Sequence, residues 1–315
     1  MRAIYFEQNG GPEVLEARDL PSPTPGDGEV LVNVDAVGIN YRDVYERNGS
    51  GYGAVPPAII GVEGAGMIAG TGERVAWAHI DGSYAEQIAA PRDKLVPVPD
   101  DVSAEVAAAA ILQGMTAHYL AADSYPVAEG DWVLVHAAAG GVGLLLTQLA
   151  KLRGGRVIAT TSTDEKAELA RAAGADEVIG YAGFAERAME ITGGEGVKAV
   201  YDGVGKTTFL DGLKALAPTG RMILYGAASG QPDPLTLSAL APAGSLYVQR
   251  PTLHTYTRTP ELLRGRAAEL FELIESGALD VRIGARYPLD QARQAHEDLE
   301  ARKTTGKLLL IPRRG

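Results

Sequence analysis

The chain contains no cysteine. That absence excludes disulfides, thiolate zinc sites, iron–sulfur clusters and a cysteine nucleophile. No apolar run approaches the ~20 residues that a membrane-spanning helix needs. The opening segment MRAIYFEQNGG has no apolar signal stretch. Together with the missing cysteine, this is the pattern expected of a cytoplasmic protein. Positive charge is also short, with 29 Lys and Arg against 40 Asp and Glu and a net charge of −11. Nucleic-acid footprints are basic, so neither a nucleic acid nor a membrane is an expected partner. There is no G-x-S-x-G and hence no serine nucleophile elbow. Of the five histidines, His79, His118, His136, His254 and His296, no two fall at ligand spacing, so no metal is expected. Internal repeats and low-complexity linkers are absent as well.

Glycine is what the chain has in excess. Its 39 glycines among 315 residues are about 12%, against a usual ~7%. Disorder, many turns, or backbone that must approach a ligand would each produce this, and position decides among them. The length suggests about two domains. The first 100 residues read as short strands (Met1 to Phe6, Glu29 to Val37, Glu73 to Ala78) separated by turn chemistry at Pro21 to Gly28 and Asn48 to Gly53. That spacing suggests a compact β-barrel-like unit. An Ala-rich helix follows over Ser103 to Ala122, with Ser103 as its cap. From Asp131 strands and helices alternate, which predicts βαβ units and a parallel sheet. Helices over Pro260 to Ser276 and Leu289 to Arg302 and a strand over Gly306 to Ile311 close the chain.

The strongest local signal is HAAAGGVGLLLTQLAK, from His136 to Lys151. A strand runs into Gly140, Gly141 and Gly143, and a helix starts directly after. Such a turn brings backbone close to a pyrophosphate and aims the helix N–H groups and dipole at it. Against G-x-G-x-x-G the positions are Ala138, Ala139, Gly140, Gly141, Val142 and Gly143, so the first glycine is Ala. The alternative is an ordinary glycine-rich βα turn. About 20 residues on, NAD enzymes place an acidic residue for the ribose 2′-OH. Ser162 stands there, and Lys166 follows in the next helix. A hydroxyl and a lysine suit a 2′-phosphate, which favours NADPH. Asp164 is the competing acidic candidate, or else a first-turn acid after a Thr163 cap.

A series of further segments runs along nearly the whole chain: GINYRDVYERNGSGY at Gly38, GVEGAG at Gly61, LQGMTAHYL at Leu112, VYDGVG at Val200, LYGAASG at Leu224, GSLYVQRPTL at Gly244 and RKTTGKLLLIP at Arg302. With HAAAGGVG at His136 and STDEKAELARAAGADEVIGY at Ser162, the chain resembles the quinone oxidoreductase, zeta-crystallin-like branch of the medium-chain dehydrogenase/reductase superfamily. The resemblance implies an α/β protein with a GroES-like β-barrel catalytic domain over 1–115 and 260–315. A doubly wound, parallel-sheet Rossmann domain over 116–259 would bind NADPH.

By resemblance, cofactor contacts fall on Asn40, Gln113, Thr116, Gly140, Gly141, Val142, Ser162, Lys166, Tyr181, Gly226, Ala227, Ser229 and Arg302. Asn40, Tyr45, Gln113 and Thr116 match positions lining the nicotinamide and substrate pocket, and Gln113 stands where many relatives have Lys. Tyr45, Tyr52 and Asn40 are the catalytic candidates, since related enoyl reductases use a tyrosine of this loop as proton donor. The zinc alcohol dehydrogenases carry His in a G-H-E motif that here reads Gly61-Val62-Glu63. Without that His and without cysteine, zinc cannot polarise an alcohol. A quinone or an activated alkene, which needs no metal, is the expected substrate, and the resemblance implies that NADPH gives a quinone a hydride or single electrons. The resemblance also implies a homodimer through an edge strand near Ser245 to Val248. Two alternatives stay open: an enone, enal or 2-enoyl thioester reductase on the same fold, and a non-catalytic, crystallin-like or RNA-binding protein that holds NADPH. The acidic charge weighs against RNA.

Overall fold

The computed structural model describes residues 1–51 and 55–313. Tyr52, one of the catalytic candidates, lies outside them. The chain divides into two compact units, Met1–Met115 with Thr257–Gly315, and Thr116–Tyr256.

The first unit begins with β1 (Arg2–Phe6), β2 (Glu16–Asp19) and β3 (Glu29–Ile39). In β3 the inward positions Val32, Val34 and Ala36 alternate with polar neighbours, as a half-buried strand requires. Where the sequence suggested only strands and turns, a helix follows: α1 (Tyr41–Asn48). Asn40 caps it from extended backbone, and the Asp43 carboxylate accepts the Asn40 N–H at 2.8 Å. Gly49 ends it with φ +78, a left-handed stop suited to glycine. Then come β4 (Ala58–Ile59), β5 (Glu63–Ile68), β6 (Arg74–Ala78), β7 (Gln87–Pro91), β8 (Val96–Pro97) and α2 (Ala104–Tyr119). The Ser103 hydroxyl accepts the Val106 N–H at 3.2 Å, the expected cap.

The second unit is built from β9 (Trp132–Val135), α3 (Gly141–Leu152), β10 (Arg156–Thr160), α4 (Asp164–Ala172), β11 (Glu177–Ile179), α5 (Phe184–Ile191), β12 (Val197–Asp202), α6 (Phe209–Lys214), β13 (Leu216–Leu224), β14 (Tyr247–Gln249) and α7 (Leu253–Tyr256). Its strands pair in parallel in the order β11-β10-β9-β12-β13-β14. Chain order reverses at β9, which makes this the doubly wound arrangement with its switch point there. The sheet is covered on its faces, so its strands read as continuous apolar runs, WVLV in β9 for example. The expected strand at Ser245 starts later: Ser245 has φ +57, incompatible with extended backbone, and β14 begins at Tyr247. As the edge strand, β14 exposes Tyr247 and Val248.

The chain returns to the first unit with α8 (Pro260–Glu275), β15 (Ile283–Pro288), α9 (Ala292–Glu300) and β16 (Lys307–Ile311). The helix expected from Leu289 opens instead with a 3-10 turn over Leu289–Gln291. In the larger sheet β16 pairs with β15 on one side and β3 on the other, and β3 continues through β5 and β6 to β8. Ile4, Phe6, Val32, Trp77, Tyr84, Leu308 and Leu310 are among the residues of its core. Among the described residues, no helix is long and apolar enough to cross a membrane.

Candidate active site

In the second unit the glycine-rich loops gather at one edge of the sheet. His136 to Gly140 follow β9, Ser162 follows β10, Gly203 to Gly205 follow β12, and Tyr225 to Gly230 follow β13. These are the carboxyl ends of four adjacent parallel strands, where open α/β sheets bind ligands. Gly140 is the N-cap of α3, and no side chain caps that end. The helix therefore starts with N–H donors and a positive dipole end directed outward. Gly143 has a packing reason: a Cβ there would lie 2.4 Å from Ala137 O and 2.7 Å from Ala138 Cα. Helix and turn approach too closely for any side chain.

The left-handed residue of the turn is Ala137, at φ +51. Its N–H donates to the Tyr181 hydroxyl at 3.1 Å, and the Tyr181 ring stacks on His136. Tyr181 thus shapes the loop from outside. Asp202 organises the neighbouring loop. Its buried carboxylate accepts from Val204 N at 2.7 Å, Gly205 N at 2.9 Å and the Thr208 hydroxyl. Its backbone carbonyl accepts from Tyr225 N at 2.9 Å, and Gly226 packs on Gly203 so tightly that a Cβ would sit 2.7 Å from Gly203 O. The Ser229 hydroxyl donates to Val204 O at 2.8 Å and accepts from Thr207 N at 3.1 Å, joining the two loops. Ala227 is buried between them. Thr163 caps α4, accepting from Lys166 N at 3.3 Å, which leaves Asp164 as a first-turn acid and Ser162 exposed at the strand end.

The first unit holds a buried polar cluster. Asn40 Nδ2 donates to Glu63 Oε2 at 2.6 Å, and Asn40 Oδ1 accepts from Lys307 Nζ at 2.8 Å and Gln113 Nε2 at 3.1 Å. Lys307 also pairs with Glu63 itself, and Glu63 Oε1 accepts the Leu112 N–H at 2.7 Å. Burial pushes the Lys307 ammonium below its ordinary range, and Glu63 opposes that shift. A second chain of contacts runs from Arg47 through His296 and Tyr84 to Asp43. Arg47 only donates, so His296 Nδ1 accepts at 3.1 Å and its proton sits on Nε2, facing Tyr84 at 3.1 Å. Tyr84 in turn donates to Asp43 Oδ2 at 2.9 Å. Burial raises the Asp43 carboxyl to about 6.

Two histidines are locked neutral. Burial depresses His136 to about 3, and burial with the nearby Arg47 does the same to His296. Since the folded value lies below the unfolded 6.5, the unfolded chain takes up protons first. The stability each contributes is complete above pH 6.5 and is lost as pH falls toward 3, by about 1.4 kcal/mol per pH unit. Relative to a His136→Gln variant, the wild-type chain loses about that much per unit between pH 6 and 4. Urea unfolding at a series of pH values measures it, and parallel curves for the two proteins contradict a neutral His136.

The sequence candidates divide between these places. In the second unit Gly140, Gly141, Val142, Ser162, Lys166, Tyr181, Gly226, Ala227 and Ser229 share the carboxyl edge of the sheet. In the first unit Asn40 and Gln113 touch each other and Tyr45 packs edge-on against Tyr41 at 5.4 Å, while Thr116, three residues after Gln113 on α2, opens the second unit. Arg302, with φ +56, is exposed beyond α9. The Asn40 amide is taken up by protein partners, Gly38 O at 3.4 Å among them. Asp202, Glu63, Lys307 and His296 escaped the sequence as site residues. For Asp202 the signal existed in Asp-Gly at a strand end.

Comparison with known proteins agrees with this geometry. Residues 141–270 match the family model described as Zinc-binding dehydrogenase, and residues 26–81 match Alcohol dehydrogenase GroES-like domain. The chain is 43% identical to a quinone oxidoreductase of Pseudomonas aeruginosa, over 99% of each chain. A mycobacterial structure complexed with NADPH is 50% identical over 99% of this chain and 100% of that one, with a TM-score of 0.95. Escherichia coli quinone oxidoreductase complexed with NADPH is 40% identical, again over 99% and 100%, with a TM-score of 0.96. Among the described residues, no group of three His, Asp or Glu side chains could hold a metal ion. With its GroES-like unit and its doubly wound Rossmann unit, the chain belongs to the quinone oxidoreductase branch of the medium-chain dehydrogenase/reductase superfamily.

Proposed function

We propose that this protein is a zinc-independent oxidoreductase that passes a hydride from NADPH to a quinone. The observation that carries this reading is the uncapped, glycine-lined N-terminus of α3 at the carboxyl end of the central strand, with Ser162 and Lys166 at the end of the next. These residues fit a dinucleotide phosphate. Gly140, Gly141 and Val142 supply backbone N–H groups and a dipole to the pyrophosphate. Ser162 and Lys166 supply a hydroxyl and a cation to the 2′-phosphate. Tyr181, Gly226, Ala227 and Ser229 border the cofactor, with Thr116 and Arg302 assigned to the same task. When bound, NADPH supplies the hydride. The chain's own part is to bind, orient and keep water away. A quinone takes the charge on its oxygens, so water is a sufficient proton source, and Tyr45 is the proposed nearby donor. Homodimerisation through the β14 edge belongs to the same reading, and a monomer mass in sedimentation contradicts it.

Lys166→Ala tests the phosphate assignment. Loss of a charge-assisted contact should weaken NADPH by about 10- to 100-fold. NADH, lacking the 2′-phosphate, should change little. Fluorescence titration with both cofactors measures this, and equal effects on the two remove Lys166 from the site.

A further inference from the structure

The four partners of Asn40 saturate it. An amide has two donor hydrogens and two acceptor sites. Here both hydrogens go to Glu63 and Gly38, and both acceptor sites take Lys307 and Gln113. The direction of this amide is dictated by charge. Lys307 carries donors alone, and an ionised Glu63 carries acceptors alone. Asn40 must therefore face Lys307 with Oδ1 and Glu63 with Nδ2. Gln113 inherits this constraint, because only its Nε2 end can face Asn40 Oδ1. Its other end, Oε1, is directed away, and that atom is buried with no hydrogen-bond partner. A buried orphan acceptor is unfavourable unless something fills it.

We propose that the buried Lys307–Glu63 pair is a polarity lock: it fixes the Asn40 amide, and through it presents Gln113 Oε1 as an oriented acceptor for an N–H or O–H donor on a bound ligand. Lys307, Glu63 and Asn40 are positioning residues, and Gln113 alone touches the ligand. The oxidoreductase reading enters only in naming that ligand. A quinone carries acceptors and offers nothing to Oε1. The carboxamide of NADPH and the hydroxyl of a hydroquinone product both offer a donor.

The test uses the full chain labelled with 15N in its Asn and Gln side chains. Glu63→Gln combined with Lys307→Met removes both charges together, so no lone charge stays buried. In the wild type the Gln113 side-chain N–H2 exchanges slowly with deuterium, and in the double variant at least about tenfold faster. NADPH and 1,4-hydroquinone are added separately. A shift of the Gln113 resonance in the wild type with either one, absent in the double variant, supports the lock and identifies the donor. Equal exchange in the two proteins, or no shift with either probe, overturns it. Should the double variant not fold, Gln113→Met leaves the pair intact and removes the acceptor. It should weaken the responding probe by about five- to tenfold, and unchanged affinity overturns the proposal. These readouts need no turnover. A wild type without NADPH–quinone activity would sink the functional reading while amide exchange still decides the lock.

Discussion

Replacing Lys307 alone with methionine should lower the unfolding free energy of the first unit by about 3–5 kcal/mol. Lys307 is 1% exposed and its partner Glu63 is 0% exposed. Removing the cation strands a carboxylate that cannot reach water, since Glu63 is held by Leu112 N and Asn40 Nδ2. Surface pairs behave differently. Arg92 and Glu73 are 54% and 42% exposed, and such pairs contribute about 0–1 kcal/mol. Losing both members of the buried pair should cost far less than losing one, because no uncompensated charge remains. The two tryptophans make this measurable by unit, as Trp77 lies in the first and Trp132 in the second. Urea unfolding followed by Trp77 fluorescence, with Trp132→Phe as background, reports the loss. A change below about 1 kcal/mol would contradict an uncompensated buried charge at Glu63.

The second large effect is expected at Gly143. A valine there places Cβ 2.4 Å from Ala137 O and 2.7 Å from Ala138 Cα. Both are backbone atoms of the turn that precedes α3, so neither swings aside as a side-chain tip would. The helix must retreat or the turn must open, and overpacking of this kind costs about 1–3 kcal/mol or more. Either movement displaces the N–H groups assigned to the pyrophosphate, so NADPH affinity should fall by about 100-fold or more. Gly140 provides the contrast. A Cβ there meets only Ala137 O, at 3.2 Å, and φ is −78. Gly140→Ala should cost tenfold or less in affinity, by roughly one hydrogen bond's worth of disturbance. Cofactor titrations on the two variants compare them directly, and similar losses at both positions would remove the packing argument.

Much of the second unit was legible because its signals are local. Strands and helices alternate at short spacing, and glycines mark the strand ends, so the parallel sheet and its ligand-binding edge follow from the chain read in order. Part of the glycine excess sits at those strand ends, in Gly140, Gly141, Gly143, Gly203, Gly205, Gly226 and Gly230. The first unit was less legible for two physical reasons. Helix α1 spans 8 residues, and its cap pairs Asn40 with Asp43 where a Ser or Thr with Glu gives the stronger signature. Its Gly49 stop resembles the turn chemistry of a β-rich stretch. The buried cluster is nonlocal: Lys307 and Glu63 are 244 positions apart, and His296 and Tyr84 are 212 apart. No spacing pattern reports such pairs; Lys307 meets Glu63 because β16 pairs with β3 and β3 with β5. Asn40 shows the consequence. Its position was found by resemblance, but its saturation by Glu63, Lys307, Gln113 and Gly38 is visible only in three dimensions.

Hydride transfer from NADPH to a quinone is expected to proceed without zinc. Its most direct measurement is the loss of NADPH absorbance with 1,4-benzoquinone, 9,10-phenanthrenequinone or crotonyl-CoA as acceptor, in the presence of a metal chelator and with NADH in parallel. Quinone-dependent oxidation of NADPH that the chelator leaves intact, and that NADH supports only weakly, is the predicted result. Reduction of crotonyl-CoA alone, or no turnover with any acceptor despite tight NADPH binding, would contradict it.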